Sequence, residues 1–121
     1  KLGKIHPLNT ASSKAIFSYL SPRLIEEALQ KGLTQYTKNT IIDPEALKEN
    51  LKTVKKQGYA LDNEEVRVGI NAVSVPVFDY MKKPVAAVSV IGLSRKFDAE
   101  KDHEMLVKLK VTSEKIMEQF S

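Results

Sequence analysis

The sequence of 121 residues contains no cysteine, which excludes disulfide bonds, iron–sulfur clusters and thiol catalysis. It also contains no apolar run near the roughly 20 residues that a membrane-spanning helix needs, so we expect no membrane segment. The chain starts at Lys1 without a methionine or a basic-then-apolar leader, and we expect it to be a piece of a longer protein. The lack of cysteine fits a reducing cytoplasm, which is the location that we expect.

Motifs typical of enzymes are missing as well. The sequence has no phosphate-binding glycine loop, no nucleophile elbow, no pair of zinc-binding histidines on a helix and no Ser-His-Asp candidate. Its two histidines, His6 and His103, are far apart and lack metal-ligand spacing, so we interpret them as surface residues. We therefore predict a protein that is not an enzyme and that uses no cofactor and no metal.

The charge balance is basic but does not favour a nucleic-acid interface. The net charge is +4, and four lysines fall on one side of a predicted helix: Lys48, Lys52, Lys55 and Lys56. Glu45 and Glu49 share the surface of that helix, and no aromatic residues alternate with the lysines as a base-stacking surface requires. These features favour a solvated helix face over a DNA-binding stripe.

The length predicts one domain over residues 1–121, and clear start and stop signals predict its helices. A first helix of about three turns is expected from Asn9, a candidate N-cap. Ser21-Pro22 and Asp43-Pro44 each combine a capping residue with a proline in the first turn, and Gly32 and Gly58 end the helices that follow. A last amphipathic helix is expected to begin with Asp98 as its cap.

Between these helices, apolar residues alternate with a period of two, which predicts three antiparallel strands. The expected strands are Tyr59 to about Arg67, Ile70 to Phe78 and Pro84 to Ile91. Pro76 cannot donate a hydrogen bond, so the second strand should be bulged or at a sheet edge there. The fold class is thus α+β, with an antiparallel sheet of at least three strands flanked by helices and extended by further strands upstream.

Residues 58–92 place a few polar side chains on otherwise apolar strand faces, a pattern typical of a small-ligand pocket. Both strand faces are mostly apolar, so we expect helices to cover one face and a ligand, loop or partner to cover the other. The pattern therefore indicates a module that binds a small molecule.

Five segments, in order along nearly the whole chain, carry a resemblance to a known family: HPLNTASSKAIF, PRLIEEALQKGLTQYTKNTIIDPEAL, GYALDNEE, VGINAVSVPVFD and PVAAVSVIG. Together with the closing helix they resemble the ligand-sensing C-terminal domain of IclR-type bacterial transcription regulators. The resemblance implies a GAF/profilin-like fold, assembly into dimers or tetramers, and an N-terminal winged helix-turn-helix domain that binds DNA. It also implies that this chain lacks the DNA-binding domain, the linker helix and the first strands of the sensing domain.

The same resemblance implies an effector site for an organic acid or an aromatic metabolite on one face of the sheet. Its residues in this sequence would be Ser12, Ser13, Asp62, Ile70, Ala72, Ser89 and Ile91. Relatives often carry histidine at the position of Asn9 and glycine at Ser13, and some carry cysteine at Ala72 or, among those that bind carboxylates, a second serine at Ile91. Because these changes make the pocket less polar, we expect either a ligand with one anchored polar group and an apolar remainder or a larger pocket than glyoxylate or pyruvate needs.

Structural interpretations of the same residues remain open. Asp62 lies in an acidic run with Glu64 and Glu65, which would often be a solvated strand end. Ser89 could bond a neighbouring backbone group, and Ser12 and Ser13 could cap a helix. The whole module could also be an oligomerisation scaffold, or a GAF-like sensor of another signalling protein.

Overall fold

The computed structural model describes residues 10–98 and 101–120. The elements in chain order are α1 (Ala11–Phe17), α2 (Pro22–Leu29), α3 (Pro44–Gln57), β1 (Ala60–Asn63), β2 (Ile70–Phe78), β3 (Pro84–Leu93) and α4 (His103–Met117). A short 3-10 turn, Glu118–Phe120, follows α4. Helices and an antiparallel sheet in this order confirm the predicted α+β class.

The middle helices begin and end where the sequence predicts. Ser21 and Asp43 accept hydrogen bonds from the backbone N–H groups of residues three further on, and a proline occupies the first turn of each helix. Gly58 ends α3 in the left-handed conformation, with φ of 88°. A side chain would be strained there, which explains why glycine stands at this position.

The first and last helices start differently from the prediction. Thr10, not Asn9, caps α1 by accepting a hydrogen bond from the Ser13 N–H; Asn9 itself lies outside the described residues. The helix ends after two turns instead of three, because the chain must leave the helical conformation before Ser21-Pro22. Asp98 opens a turn, and Asp102 caps α4 by accepting from the Met105 N–H.

The sheet has the order β1-β2-β3, with β2 in the centre and both pairs antiparallel. β1 is much shorter than predicted, because the chain turns at Glu64, whose φ is +55°, just after the strand. β3 runs two residues beyond the predicted end, to Leu93. At Pro76, β2 has a neighbour only on the β3 side, because its pairing with β1 stops at Ser74. The missing N–H of Pro76 is tolerated there.

Each sheet face is covered by a different helix. On the first, which we call the α4 face, Leu109 of α4 packs on Val73 and Val75 of β2. On the opposite face, the α1 face, Ala15 of α1 packs against Ala60 at the start of β1. The small side chains let α1 approach the strands closely, so this helix can contribute to a site on the sheet.

Helix α2 lies at the periphery. Leu29 packs against Leu47 of α3, and Ile25 and Ala28 add partly buried contacts. Leu24 of the same helix is 39% exposed, so it lies outside this contact. Because few apolar contacts hold α2, the gap between α2 and α3 is not filled along its whole length.

Candidate functional site

Five of the seven predicted site residues lie on the α1 face, in adjacent rows of the sheet. Asp62, Ala72 and Ile91 form one row, since Ala72 of the central strand pairs with both of the others. Ser89 lies in the next row of the same face, opposite Ser74. Ile70 lies in the next row on the other side of Ala72. Residues two apart in a strand share a face, so their side chains converge on one surface.

A chain of three hydroxyl groups joins this surface to α1. Ser12 Oγ is 3.0 Å from Ser89 Oγ, and Ser89 Oγ is 2.5 Å from Ser74 Oγ. Ser74 is fully buried and Ser12 is exposed, so the chain runs from the core to the surface. Two hydrogen bonds use two of the three O–H donors. The third is free for a ligand oxygen when Ser74 donates to Ser89 and Ser89 donates to Ser12, because the unused O–H is then that of the exposed Ser12.

Ser13 contributes less than the family resemblance implies. Its side chain is buried, and its backbone N–H donates to the Thr10 hydroxyl that caps α1. That amide is therefore already satisfied. Ser12 of α1, by contrast, has an exposed side chain that contacts Ser89 of β3.

Asp62 lies in a protected environment and is only 7% exposed, unlike a solvated strand-end carboxylate. Its Oδ1 accepts a hydrogen bond from the Glu65 N–H at 2.7 Å, which closes the turn after β1. Burial raises the pKa of this carboxyl above its ordinary value, against the lowering effect of the hydrogen bond. Asp62 thus combines a turn-forming role with a position beside Ala72 on the α1 face.

A buried ion pair lies below this surface, and no local pattern in the sequence pairs its two residues. Lys14 of α1 is 0% exposed, and its Nζ lies 2.5 Å from Glu65 Oε1 and 3.4 Å from the Leu61 carbonyl. The Glu65 side chain is 13% exposed. The pair ties α1 to the turn after β1, so it holds Ser12 and Asp62 in a fixed relation.

The loop before α3 fastens the same turn from outside. Thr37 Oγ1 donates to the Glu64 carbonyl at 2.5 Å, and Thr40 Oγ1 donates to the Glu65 carbonyl. Thr40 also accepts from the backbone N–H groups of Tyr36 and Thr37. The turn that carries Asp62 is therefore held on both sides by side-chain hydrogen bonds.

Part of the α1 face is open. Ile91 is 68% exposed, whereas Ala72 beside it is 6% exposed. Asp62 and Ala72 of the same row are buried, so only the end of the row at Ile91 faces outward. The predicted residues therefore form a surface that is polar and covered at Ser89 and apolar and accessible at Ile91.

Two of the missed residues left signals in the sequence. Ser74 has the same strand parity as Ala72, which places both on one face of the predicted second strand. Lys14 falls three residues after Ala11, which places it on the buried stripe of a helix. Its partner Glu65 could not be found, because the two residues are separated by 51 positions and no local rule pairs them.

A well-formed cavity lies elsewhere. It measures about 300 Å³ and is bounded by the end of α1, by α2 and by α3, and none of the predicted site residues lines it.

Among residues 10–98 and 101–120, no group of three histidine, aspartate or glutamate side chains could hold a metal ion. His103 is exposed at the start of α4, and His6 lies outside the described residues.

The domain is a small α+β fold in which α1 covers part of one face of an antiparallel sheet and α4 covers the other. The family model described as the C-terminal domain of the bacterial transcriptional regulator IclR matches residues 1–118. The chain belongs to the IclR family of bacterial transcriptional regulators and corresponds to their C-terminal domain.

Individual relatives agree with this assignment. The transcriptional repressor IclR of Escherichia coli is 35% identical over 91 residues, which are 74% of this chain and 33% of that protein. The crystal structure of the Thermotoga maritima IclR superimposes with a TM-score of 0.86 at 42% identity, covering 93% of this chain and 46% of that one. The chain thus spans about a third to a half of the length of these regulators.

A third relative was solved with a small molecule. It is a double mutant of the inducer-binding domain of the transcription factor PobR from Acinetobacter, in complex with 3-hydroxybenzoic acid. The TM-score is 0.85 at 26% identity, and the match covers 90% of this chain and 63% of that domain.

In the part of this chain that the structure describes, no helix is long and apolar enough to cross a membrane.

Proposed function

We propose that this domain senses a small-molecule effector, which binds on the α1 face between α1 and strands β2 and β3. The observation that carries the proposal is the hydroxyl chain of Ser12, Ser89 and Ser74, which has one O–H donor to spare. A helix and a strand that share a ligand-facing hydrogen bond can respond together when a ligand enters. Asp62 borders the same surface and supplies an acidic group.

The effector class follows from the mixture of polar and apolar groups. Ile70, Ala72 and Ile91 offer only apolar contact, whereas the Ser12–Ser89 pair offers one polar anchor. An organic acid or aromatic metabolite with one anchored polar group and an apolar remainder fits this mixture. The 3-hydroxybenzoic acid of the PobR complex belongs to that class and supports the proposal by analogy.

In the intact regulator, effector binding would change the arrangement of paired sensing domains and thereby of the DNA-binding domains attached to them. A ligand shifts such an equilibrium only by its differential affinity for the two arrangements. We place the helix-turn-helix domain N-terminal to this chain, and the regulator in the cytoplasm. DNA is then a partner of the whole protein through that other domain.

Self-association into a dimer or tetramer is part of the proposal through the family resemblance alone, and it is separate from the unpaired strand edge of this sheet. Within the described residues, β3 has a strand neighbour on one side only, and Val85, Ile91 and Leu93 on it are exposed. Unpaired strand edges of this kind commonly acquire a partner. We assign this edge to further strands of the same sensing domain, because the chain covers 63% of the PobR inducer-binding domain.

The second candidate function is an oligomerisation scaffold with no working effector site. The exposed apolar residues of β3 favour it, since a scaffold needs an apolar contact surface. The two functions differ in their response to ligands. A sensor is stabilised by its effector through mass action, by about 2.7 kcal/mol at a concentration 100 times the Kd, whereas a scaffold is not stabilised.

The test is a thermal-shift screen of organic and aromatic acids against the protein and two leucine variants. Ser89→Leu breaks the hydroxyl chain and fills the α1 face, so the stabilising compound should lose its effect. Ala86→Leu is the matched control, because Ala86 is an exposed residue of the same strand on the opposite face. A shift that survives Ser89→Leu would refute the site, and the absence of any stabilising acid would favour the scaffold.

A further inference from the structure

The cavity between α2 and α3 is a second place where a small molecule would fit. We call it the α2–α3 cleft. Its lining residues are Ser18, Leu20, Pro22, Ile25, Glu26, Lys48, Leu51, Lys52 and Lys55. Its volume of about 300 Å³ suits a small organic molecule but not a protein helix.

The floor of the α2–α3 cleft is apolar. Leu20 and Pro22 lie where α1 leads into α2, Ile25 lies on α2, and Leu51 is a buried residue of α3. These side chains come from α2, from α3 and from the connection before α2, and together they form an apolar surface. Such a floor favours an apolar ligand tail, because the free energy gained grows with the apolar area that is removed from water.

The rim of the cleft carries the lysine stripe of α3. Lys48 pairs with Glu26 across the cleft and with Glu45 on its own helix, so its charge is neutralised and the pair forms one wall. Lys52 pairs only with Glu49 at 3.4 Å, and both side chains are more than 70% exposed. An ion pair so exposed to water is weak, so Lys52 remains able to bind another anion.

Lys55 completes the rim. Its Nζ lies 6.0 Å from the centre of the Tyr19 ring, whose hydroxyl donates to the Lys55 carbonyl. Burial raises the pKa of Tyr19, so the ring stays uncharged near neutral pH. No carboxylate of the described residues forms an ion pair with Lys55, which leaves a positive charge held beside an apolar floor.

We propose that the α2–α3 cleft binds a small amphiphilic carboxylate, distinct from the effector on the α1 face. Its apolar tail would lie on Leu20, Ile25 and Leu51, and its carboxylate would lie between the ammonium groups of Lys52 and Lys55. Residues three apart on a helix are neighbours, so the two lysines can contact one carboxylate together. Charge complementarity selects an anion, and the apolar floor selects one with a hydrocarbon tail.

Octanoate is the probe, with octanol as its uncharged counterpart, and calorimetric titration of the protein is the measurement. Octanoate should bind more tightly than octanol, and Lys55→Gln should weaken octanoate about fivefold, as for an exposed charge pair. Lys56→Gln is the control on the same helix, because Lys56 does not line the cleft, and it should change nothing. Leu20→Ser should weaken both probes, since it removes part of the floor.

The α1 face is tested in the same experiment through Ser89→Leu, which should leave octanoate binding unchanged. If Ser89→Leu abolishes octanoate binding and Lys55→Gln has no effect, the acid binds on the α1 face and the cleft site is refuted while the proposed function stands. Equal affinity for octanoate and octanol would also overturn the proposal, because the lysines would then contribute nothing. A protein that binds octanoate in the cleft but is stabilised by no other acid would sustain the cleft and count against the α1 face.

Discussion

At the scale of single residues, the buried Lys14 is the most consequential side chain near the candidate site. Its charge is taken out of water and is compensated by one carboxylate, that of Glu65, and one carbonyl. Such a pair adds little net stability, but the loss of one partner leaves the other charge uncompensated. The contribution of Lys14 is therefore measured best by removing it, since the Glu65 charge is then left without its partner.

Lys14→Met should destabilise the fold by about 3 kcal/mol, because the Glu65 carboxylate would then be largely buried without its cation. Adding Glu65→Gln should recover part of that loss, since the uncharged amide needs no counter-ion. Urea unfolding measures both changes, and Lys38→Met, at an exposed lysine, is the control. Equal stability of Lys14→Met and the unaltered protein would show that the pair does not hold α1.

The raised pKa of Asp62 predicts how the stability of the fold changes with pH. Because burial raises its pKa in the folded state, the folded protein holds its proton more tightly than the unfolded chain does. The free energy of unfolding therefore falls as pH rises from 3.8, the ordinary pKa of an aspartate, through the raised pKa of Asp62. This loss is absent in Asp62→Asn.

The unfolding free energy of Asp62→Asn should thus improve relative to the unaltered protein as pH rises through that interval, and then stay level. Urea denaturation at a series of pH values measures the difference. A difference that is constant with pH, or that changes in the opposite direction, would show that Asp62 is not held in a desolvated position. Gln35→Glu, at an exposed glutamine, is a control for the general effect of one charge.

The residues of the α1 face show how far sequence reasoning reaches at this scale. Period-two geometry predicted that Ile70 shares a face with Ala72 and that Ser89 shares a face with Ile91, and the strand register agrees. The pairing of Lys14 with Glu65 was beyond prediction, because only the folded chain brings these two residues near each other. Local periodicity assigns faces, whereas charge compensation is decided by tertiary packing.

At the scale of elements, the sequence predicted helix starts best where two signals coincide. Ser21-Pro22 and Asp43-Pro44 each combine a cap with a proline, and both helices begin there. Asn9 and Asp98 were single signals, and the neighbouring Thr10 and Asp102 were the actual caps. A lone capping residue competes with others nearby, and the outcome depends on which backbone N–H groups are free.

The early end of β1 has a similar cause. The alternating pattern continues past Asn63, but Asp62 binds the Glu65 N–H and Glu64 takes a left-handed conformation, so the chain turns. An aspartate that forms a turn with its own backbone competes with strand pairing. The acidic run, for which a solvated strand end was the alternative interpretation, is thus a structured turn.

The packing of helix α4 on the sheet leads to a testable prediction about stability. Leu109→Ala should cost about 3 kcal/mol, because it opens a cavity between α4 and the buried residues Val73 and Val75. Val107→Ala is the matched control on the same helix, where the side chain is 60% exposed, and it should change stability little. Thermal unfolding of both variants measures the difference. A loss for Val107→Ala as large as that for Leu109→Ala would mean that α4 docks through another face.

At the scale of the whole molecule, the two sheet faces have different tasks. The α4 face is packed with valines and a leucine, and it supplies stability. The α1 face carries the hydroxyl chain, Asp62 and an exposed isoleucine, and it is the face to which we assign effector binding in our proposal. The sequence predicted that helices would cover one face and a ligand, loop or partner the other, but α1 covers part of the second face as well.

The sequence predicted less about what lies between helices. The α2–α3 cleft exists because α2 is held through few apolar contacts, which depends on how three helices meet and not on any motif. The lysines that line it were interpreted as a solvated stripe, and the structure adds the apolar floor beside them. A charge pattern on one helix therefore acquires a binding role only when the neighbouring helices are in place.

Binding of the effector on the α1 face is tested most directly by amide chemical-shift mapping. Proton–nitrogen spectra are recorded while the acid that stabilises the protein most is added. We predict that the largest shifts lie at Ser12, Ala72 and Ser89, with small shifts at Val88 and Leu109 on the α4 face. Largest shifts on the α4 face, or only along the α2–α3 cleft, would contradict an effector site on the α1 face.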